Sequence, residues 1–110
     1  MTFAENLKQL PGISHLAELQ LLDAEDGSLV ATIANQPGQT GSLAIYNHLA
    51  QHYGVISADA AKKGLELYAE HAIDARSHPG KHPHIDRLIK LVEEPRKLRV
   101  KHIFAQTGLE

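Results

Sequence analysis

HLAELQLLDAEDGSLVATIA, residues 15–34, is the stretch whose reading decides the fold class. Its two halves, HLAELQLLD and SLVATIA, lean towards strand, and AEDG between them carries the Asp26-Gly27 turn signal, so an antiparallel hairpin is the economical reading. The alternation is imperfect, and a helix through Leu16 to Leu22 competes with it. A hairpin here makes the chain an α+β protein.

Working outward, TFAE at the start has the spacing of a capping box, Thr2 with Glu5, and Phe3, Leu7 and Leu10 form one apolar stripe, which predicts a short helix ending before Pro11-Gly12. On the other side NQPGQTGS predicts a type II turn at Pro37-Gly38, with Ser42 placed to cap the helix SLAIYNHLAQHY and Gly54 to end it. Ser57 opens the longest predicted helix, with Ala61, Leu65, Tyr68, Ala69 and Ala72 on its core face. Beyond the next Pro-Gly turn, Pro83 suits a first helical position, and Ile85, Leu88, Ile89 and Val92 repeat at helical spacing up to Pro95. KLRVKHIF alternates, Leu98, Val100 and Phe104 against Lys97, Arg99 and Lys101, and reads as a terminal strand. The order is α-β-β-α-α-α-β: a single α+β domain over residues 1–110, helices packed on one face of a small antiparallel sheet.

Length and composition agree with one soluble core. The chain has 110 residues, 43% hydrophobic and 22% charged, and a net charge of -2 gives no general pull towards nucleic acid or anionic membrane. The absence of cysteine excludes disulfides, thiolate metal sites and cysteine nucleophiles, and fits a cytoplasmic protein. TFAENLKQL lacks the form of a signal peptide, and no run reaches the ~20 apolar residues that cross a bilayer.

Chemistry concentrates in HAIDARSHPGKHPHID, residues 71–86, where four of the chain's eight histidines fall within fourteen residues. On one continuous helix Glu70, His71, Asp74 and His78 share the face opposite Leu65 and Ala72, and the i, i+3, i+7 spacing of the last three suits Zn, Ni, Mn or Fe bound without thiolate. His82 and His84 follow at the start of the next helix, where its positive end favours the neutral ring a metal requires. Three readings compete: a polar helix corner, a divalent-metal site, and His–Asp acid/base chemistry. The first leads, because no zinc-enzyme signature is present and the one nearby hydroxyl, Ser77, is not in a nucleophile elbow. His48 and His52, one turn apart, are a second candidate ligand pair, or else the rim of a packing surface. Whether the two groups meet is beyond local pattern.

Two weaker surfaces remain. PGQTGS could offer an anion the backbone around Gly38 and Gly41 with the Thr40 and Ser42 hydroxyls, although no Lys follows Gly41 as a Walker motif requires. RKLRVKH lacks the aromatics that stack bases, so nucleic acid is not expected; it reads as a sheet edge guarded by cations or, paired across a two-fold axis, as a homodimer contact. PGQTGSLAIYNHL together with DARSHPGKHPHIDRL resembles a family of short bacterial proteins of about this length whose function is uncharacterised. The resemblance covers most of the chain and implies a bacterial cytoplasmic protein, but supplies no activity, cofactor or catalytic residue. The sequence therefore leads to a non-enzymatic binding or regulatory domain, a homodimer with a protein or small-molecule partner. Its expected interaction surface comprises Leu67, Glu70, His71, Asp74, Lys81 and Asp86, the alternative being a divalent-metal protein or metal-dependent enzyme with ligands from the same corner.

Overall fold

The hairpin reading of residues 15–34 holds in the computed structural model, which describes residues 1–106. Strand β1 (Leu16–Asp23) pairs antiparallel with β2 (Leu29–Ala34), setting Leu19 opposite Ile33 and Leu21 opposite Ala31. Gly27, at φ 75, closes the connection by donating its N–H to the Asp23 carbonyl at 2.9 Å. The imperfect alternation has a structural cause. The register slips against β2 between Leu21 and Leu22 and against β3 (Leu98–Phe104) between Leu16 and Glu18, so Leu16, Leu19 and Leu21 are all buried despite uneven spacing. The sheet order is β2-β1-β3, antiparallel throughout. On β3, Leu98 is buried while Arg99 and Lys101 are exposed; Phe104, expected on the apolar face, is 64% exposed at the strand's end.

The helices cover one face of this sheet. Helix α2 (Thr40–Tyr53) is central, burying Leu43, Ile45, Tyr46 and Leu49, and Gly54 ends it at φ 83. Burial of each such large side chain contributes about 1.5–3 kcal/mol. Helix α3 (Ala58–Tyr68) is capped by Ser57, and α5 (Pro83–Glu93) starts on Pro83 as expected, with Leu91 joining Ile85 and Leu88 in the core. Gly64 lets α3 lie close between α2 and α5: a Cβ there would come within 2.9 Å of Leu49 Cδ1 and 2.7 Å of Leu88 Cδ1. Among the described residues no helix is long and apolar enough to cross a membrane.

The order α-β-β-α-α-α-β holds, with one interruption. The helix expected to run on from Ser57 breaks at Ala69, whose φ of 52 and ψ of -119 no helical residue adopts, and resumes as α4 (Glu70–Ser77). The short N-terminal helix α1 (Phe3–Leu7), closed by the Thr2–Glu5 capping box, straps this break from outside. Asn6 donates its side-chain amide to the Leu67 carbonyl at 3.0 Å, and the Phe3 N–H donates to Glu70 Oε1 at 2.9 Å. The first occupies a carbonyl that the break frees, and the second ties the Glu70 side chain, just past the break, to the start of α1. They also bear on one expectation. Leu67 is half-buried and packed on the core rather than free as an interaction residue, because the break rotates its face; the exposed apolar side chain of this segment is Ile73, at 68%.

Candidate functional site

Residues nominated on separate grounds meet in one cleft of about 410 Å³, between the start of α2 and the turn that leads into α5. On the first wall, Gly38 adopts φ 90 and brings the chain into α2, which has Gln39 as N-cap. No side chain caps this helix, since Gln39 Oε1 accepts instead from the Ala34 N–H at 3.1 Å. The first-turn N–H groups of Thr40, Gly41 and Ser42 have no partner within the helix, and all three residues line the cleft. Ser42 was expected to cap α2. Its hydroxyl is instead turned to the buried Tyr68, which donates to Ser42 Oγ at 2.6 Å, and burial pushes the Tyr68 phenol far above its ordinary range.

Phe3 closes the floor. Its ring stacks on Tyr68 at 5.8 Å and meets His71 edge-on at 4.6 Å, while the bare Cα of Gly41 makes room for it: a Cβ there would lie 2.6 Å from Phe3 Cζ. Leu7 and Ile85 complete the apolar lining.

The opposite wall is built around Asp74. The Pro79-Gly80 turn, with Gly80 at φ 94, doubles the chain back, and Asp86 holds it by accepting the Gly80 N–H at 2.9 Å. Asp74 then receives His82 Nε2–H at 2.6 Å, the Lys81 ammonium at 3.0 Å and His78 Nδ1 at 3.2 Å. The bond from His82, with that from Lys81 next, pulls the Asp74 carboxyl down to about 2. In the tautomer whose Nε2–H donates to Asp74, Nδ1 is left as an acceptor. Lys81, His82, Pro83 and His84 line the cleft with His71.

His84 also faces inward. Its Nδ1 accepts from Arg87 Nη1 at 3.0 Å and its carbonyl accepts from the Tyr46 hydroxyl at 2.5 Å; burial, and then the Arg87 charge, depress the imidazole to about 4. Burial raises Tyr46 to about 12.

The structure thus brings Gly38, Thr40, Gly41, Ser42, His71, Lys81, His82 and His84 to one cavity, with Asp74, His78 and Asp86 as the supports behind its turn. It leaves four nominated residues elsewhere: Leu67 packed on the core, Glu70 at the α1 strap, and His48 and His52 stacked on each other at 5.9 Å along α2. Burial, with the charges of His52 and Lys63, lowers the His48 pKa. Among the described residues no three His, Asp or Glu side chains stand where they could hold a metal ion. The physical reason is local: the helix that was to present His71, Asp74 and His78 together folds His71 onto Phe3, and Lys81 occupies an oxygen of Asp74. Phe3, Tyr68 and Ile85 were read from the sequence as core residues. The signal for Tyr68 was available in principle, because a buried phenol needs a partner.

Comparison with curated proteins returned no match, and comparison with solved structures returned none either. A family model described as an uncharacterized protein conserved in bacteria, DUF2322, matches residues 3–102, and the chain belongs to that family.

Proposed function

We propose that this protein is a small-molecule-binding domain whose ligand carries an anionic group on a partly apolar body. One observation carries the reading: the uncapped α2 terminus and the Lys81-His82 turn, nearly forty residues apart in the chain, face the same 410 Å³ cleft over a floor of Phe3, Leu7 and Ile85. A cavity of this size lies in the roughly 300–1,000 Å³ range of small-ligand sites, and its concavity favours a metabolite over a flat protein partner. Backbone N–H groups at the helix start would orient the anion, Lys81 would add charge, and Asp74 keeps His82 and Lys81 in place.

Amide spectra of the uniformly labelled chain, titrated with inorganic phosphate, acetate and AMP, test it. The expected result is saturable movement of the Gly41, Ser42 and Lys81 signals, weakened about tenfold by Lys81→Ala. An unmoved cleft at millimolar concentrations of all three would overturn the reading. Elemental analysis of untagged protein separates it from the divalent-metal alternative: stoichiometric metal lost in both His71→Ala and His82→Ala would favour that alternative instead.

The homodimer expected from the sequence has its best support at β2 rather than β3. Antiparallel pairing of β3 about a two-fold axis near residue 100 would set Arg99 of each copy against Lys101 of the other, like charge against like. By contrast no Asp, Glu, Lys or Arg lies between Asp26 and Asp59, and Leu29 and Val30 on the β2 edge are 58% and 39% exposed. Sedimentation should give a dimer that Thr32→Lys dissociates; a monomeric parent protein would end the idea.

A further inference from the structure

A second cavity, of about 420 Å³, opens between the exposed end of α5 and the sheet, and its chemistry differs from that of the first cleft. Its central side chain is Arg87. This half-buried guanidinium uses Nη1 to donate to the Tyr46 hydroxyl at 3.2 Å and to His84 Nδ1 at 3.0 Å, and its Cζ lies over the Tyr46 ring, 5.8 Å from the centroid. Among the described residues no carboxylate forms an ion pair with it, and its Nε and Nη2 donate to no protein group. A guanidinium is always charged, and Nε with Nη2 is one of its edges that accepts a carboxylate through two parallel bonds. Tyr46 and His84 therefore hold the fork in place before any ligand arrives, so little side-chain freedom is lost on binding.

The surroundings narrow the ligand. Leu91 and Leu98 form a buried apolar floor and Val30 an exposed apolar edge, which suits an aliphatic body beside the charged head. Lys90, three residues along the same helix, adds positive charge, whereas Arg96 is neutralised by its ion pair with Asp23. Glu94 at the rim penalises a second negative charge, so a monoanion is preferred to a phosphate ester. We infer that this cavity binds a small aliphatic monocarboxylate, with Arg87 clamping the carboxylate and Leu91 and Leu98 receiving the chain. Nothing in this depends on the ligand of the first cleft.

The test titrates the labelled chain with acetate, butyrate, hexanoate, hexyl phosphate and methyl hexanoate at constant ionic strength. Amide signals of Leu91 and Leu98 should move, whatever the response of Gly41 and Ser42 in the first cleft, and the affinity read at Leu91 and Leu98 should rise about three- to fourfold for each methylene added. Arg87→Lys, which keeps the charge but not the fork, should weaken hexanoate at least tenfold. The comparison of acid with ester needs no variant and so stands even where Arg87→Lys unfolds the chain. Equal binding of hexanoate and its methyl ester, movement confined to the first cleft, no movement at all, or tighter binding of hexyl phosphate than of hexanoate would each overturn the inference.

Discussion

Replacing Ala69 with glycine should stabilise this protein, against the usual rule for exchanging alanine for glycine beside helices. Ala69 sits at φ 52 and ψ -119, the geometry of the first corner of a type II′ turn, which glycine adopts freely and L-residues resist. Strain of this kind amounts to about 1–3 kcal/mol. Against its relief stand the greater freedom of glycine in the unfolded chain, about 0.4–1 kcal/mol, and the loss of a half-buried methyl, worth about half of 0.8 kcal/mol. The balance is a gain of about 1 kcal/mol, or roughly 4 °C in Tm for a domain of this size. Urea unfolding followed by circular dichroism, at unchanged slope, measures it, with Ala69→Val as the control that should lose stability. Lower stability in Ala69→Gly than in the parent, with Ala69→Val no worse, would refute the argument that the break is strained.

Three further outcomes are expected. Gly41→Ala drives a Cβ against Phe3 Cζ and should displace α1 from the cleft, at a loss of about 1–3 kcal/mol, read as faster amide exchange over residues 3–10. Because the folded Asp74 carboxyl is depressed to about 2, the stability it supplies is complete above the unfolded value near 4 and fades as pH falls through 2; Asp74→Asn should flatten the acid limb of a urea–pH series. His84 titrates at about 4 in the folded chain against about 6.5 unfolded, so the unfolded state binds more protons between those values. Stability should fall as pH drops through that window, by an amount of order 1 kcal/mol after allowance for partial exposure, and His84→Gln should remove the dependence.

If both sites bind as proposed, Tyr46 links them. Its hydroxyl donates to the carbonyl of His84, which lines the first cleft, and accepts from Arg87, which lines the second. A ligand that moves Arg87 therefore acts on a bond network whose other end is His84. Coupling would be demonstrated by hexanoate shifting the affinity for phosphate, and phosphate shifting that for hexanoate by the same factor.

Local chemistry in the sequence determined most of the elements. Thr2 with Glu5, Ser57, Gly54 and Pro83 each mark a helix end through bonds or dihedral angles that involve only near neighbours, so their reading needs no knowledge of the fold. Asp26-Gly27 marked the hairpin and the alternation of Leu98 to Lys101 marked a further strand on the same basis, but the pairing of β3 with β1, far away in the chain, is a tertiary outcome. The break at Ala69 could not be read this way, because alanine is the best helix former and carries no punctuation. Packing imposed it, through Tyr68 reaching Ser42 and α1 taking up the groups around the bend. Leu67, expected on the same surface as His71 and Asp74, lies on α3 before the break, while His71, Asp74 and His78 all follow it on α4 and its C-cap, so the break separates the first from the others. The meeting of residues 38–42 with residues 81–85 depends in turn on contacts about forty residues apart, to which helical and strand periodicity are blind. The sequence carried the chemical groups of the site; only the tertiary structure decided which of them share a cavity, because close packing between distant segments, not local propensity, sets those distances.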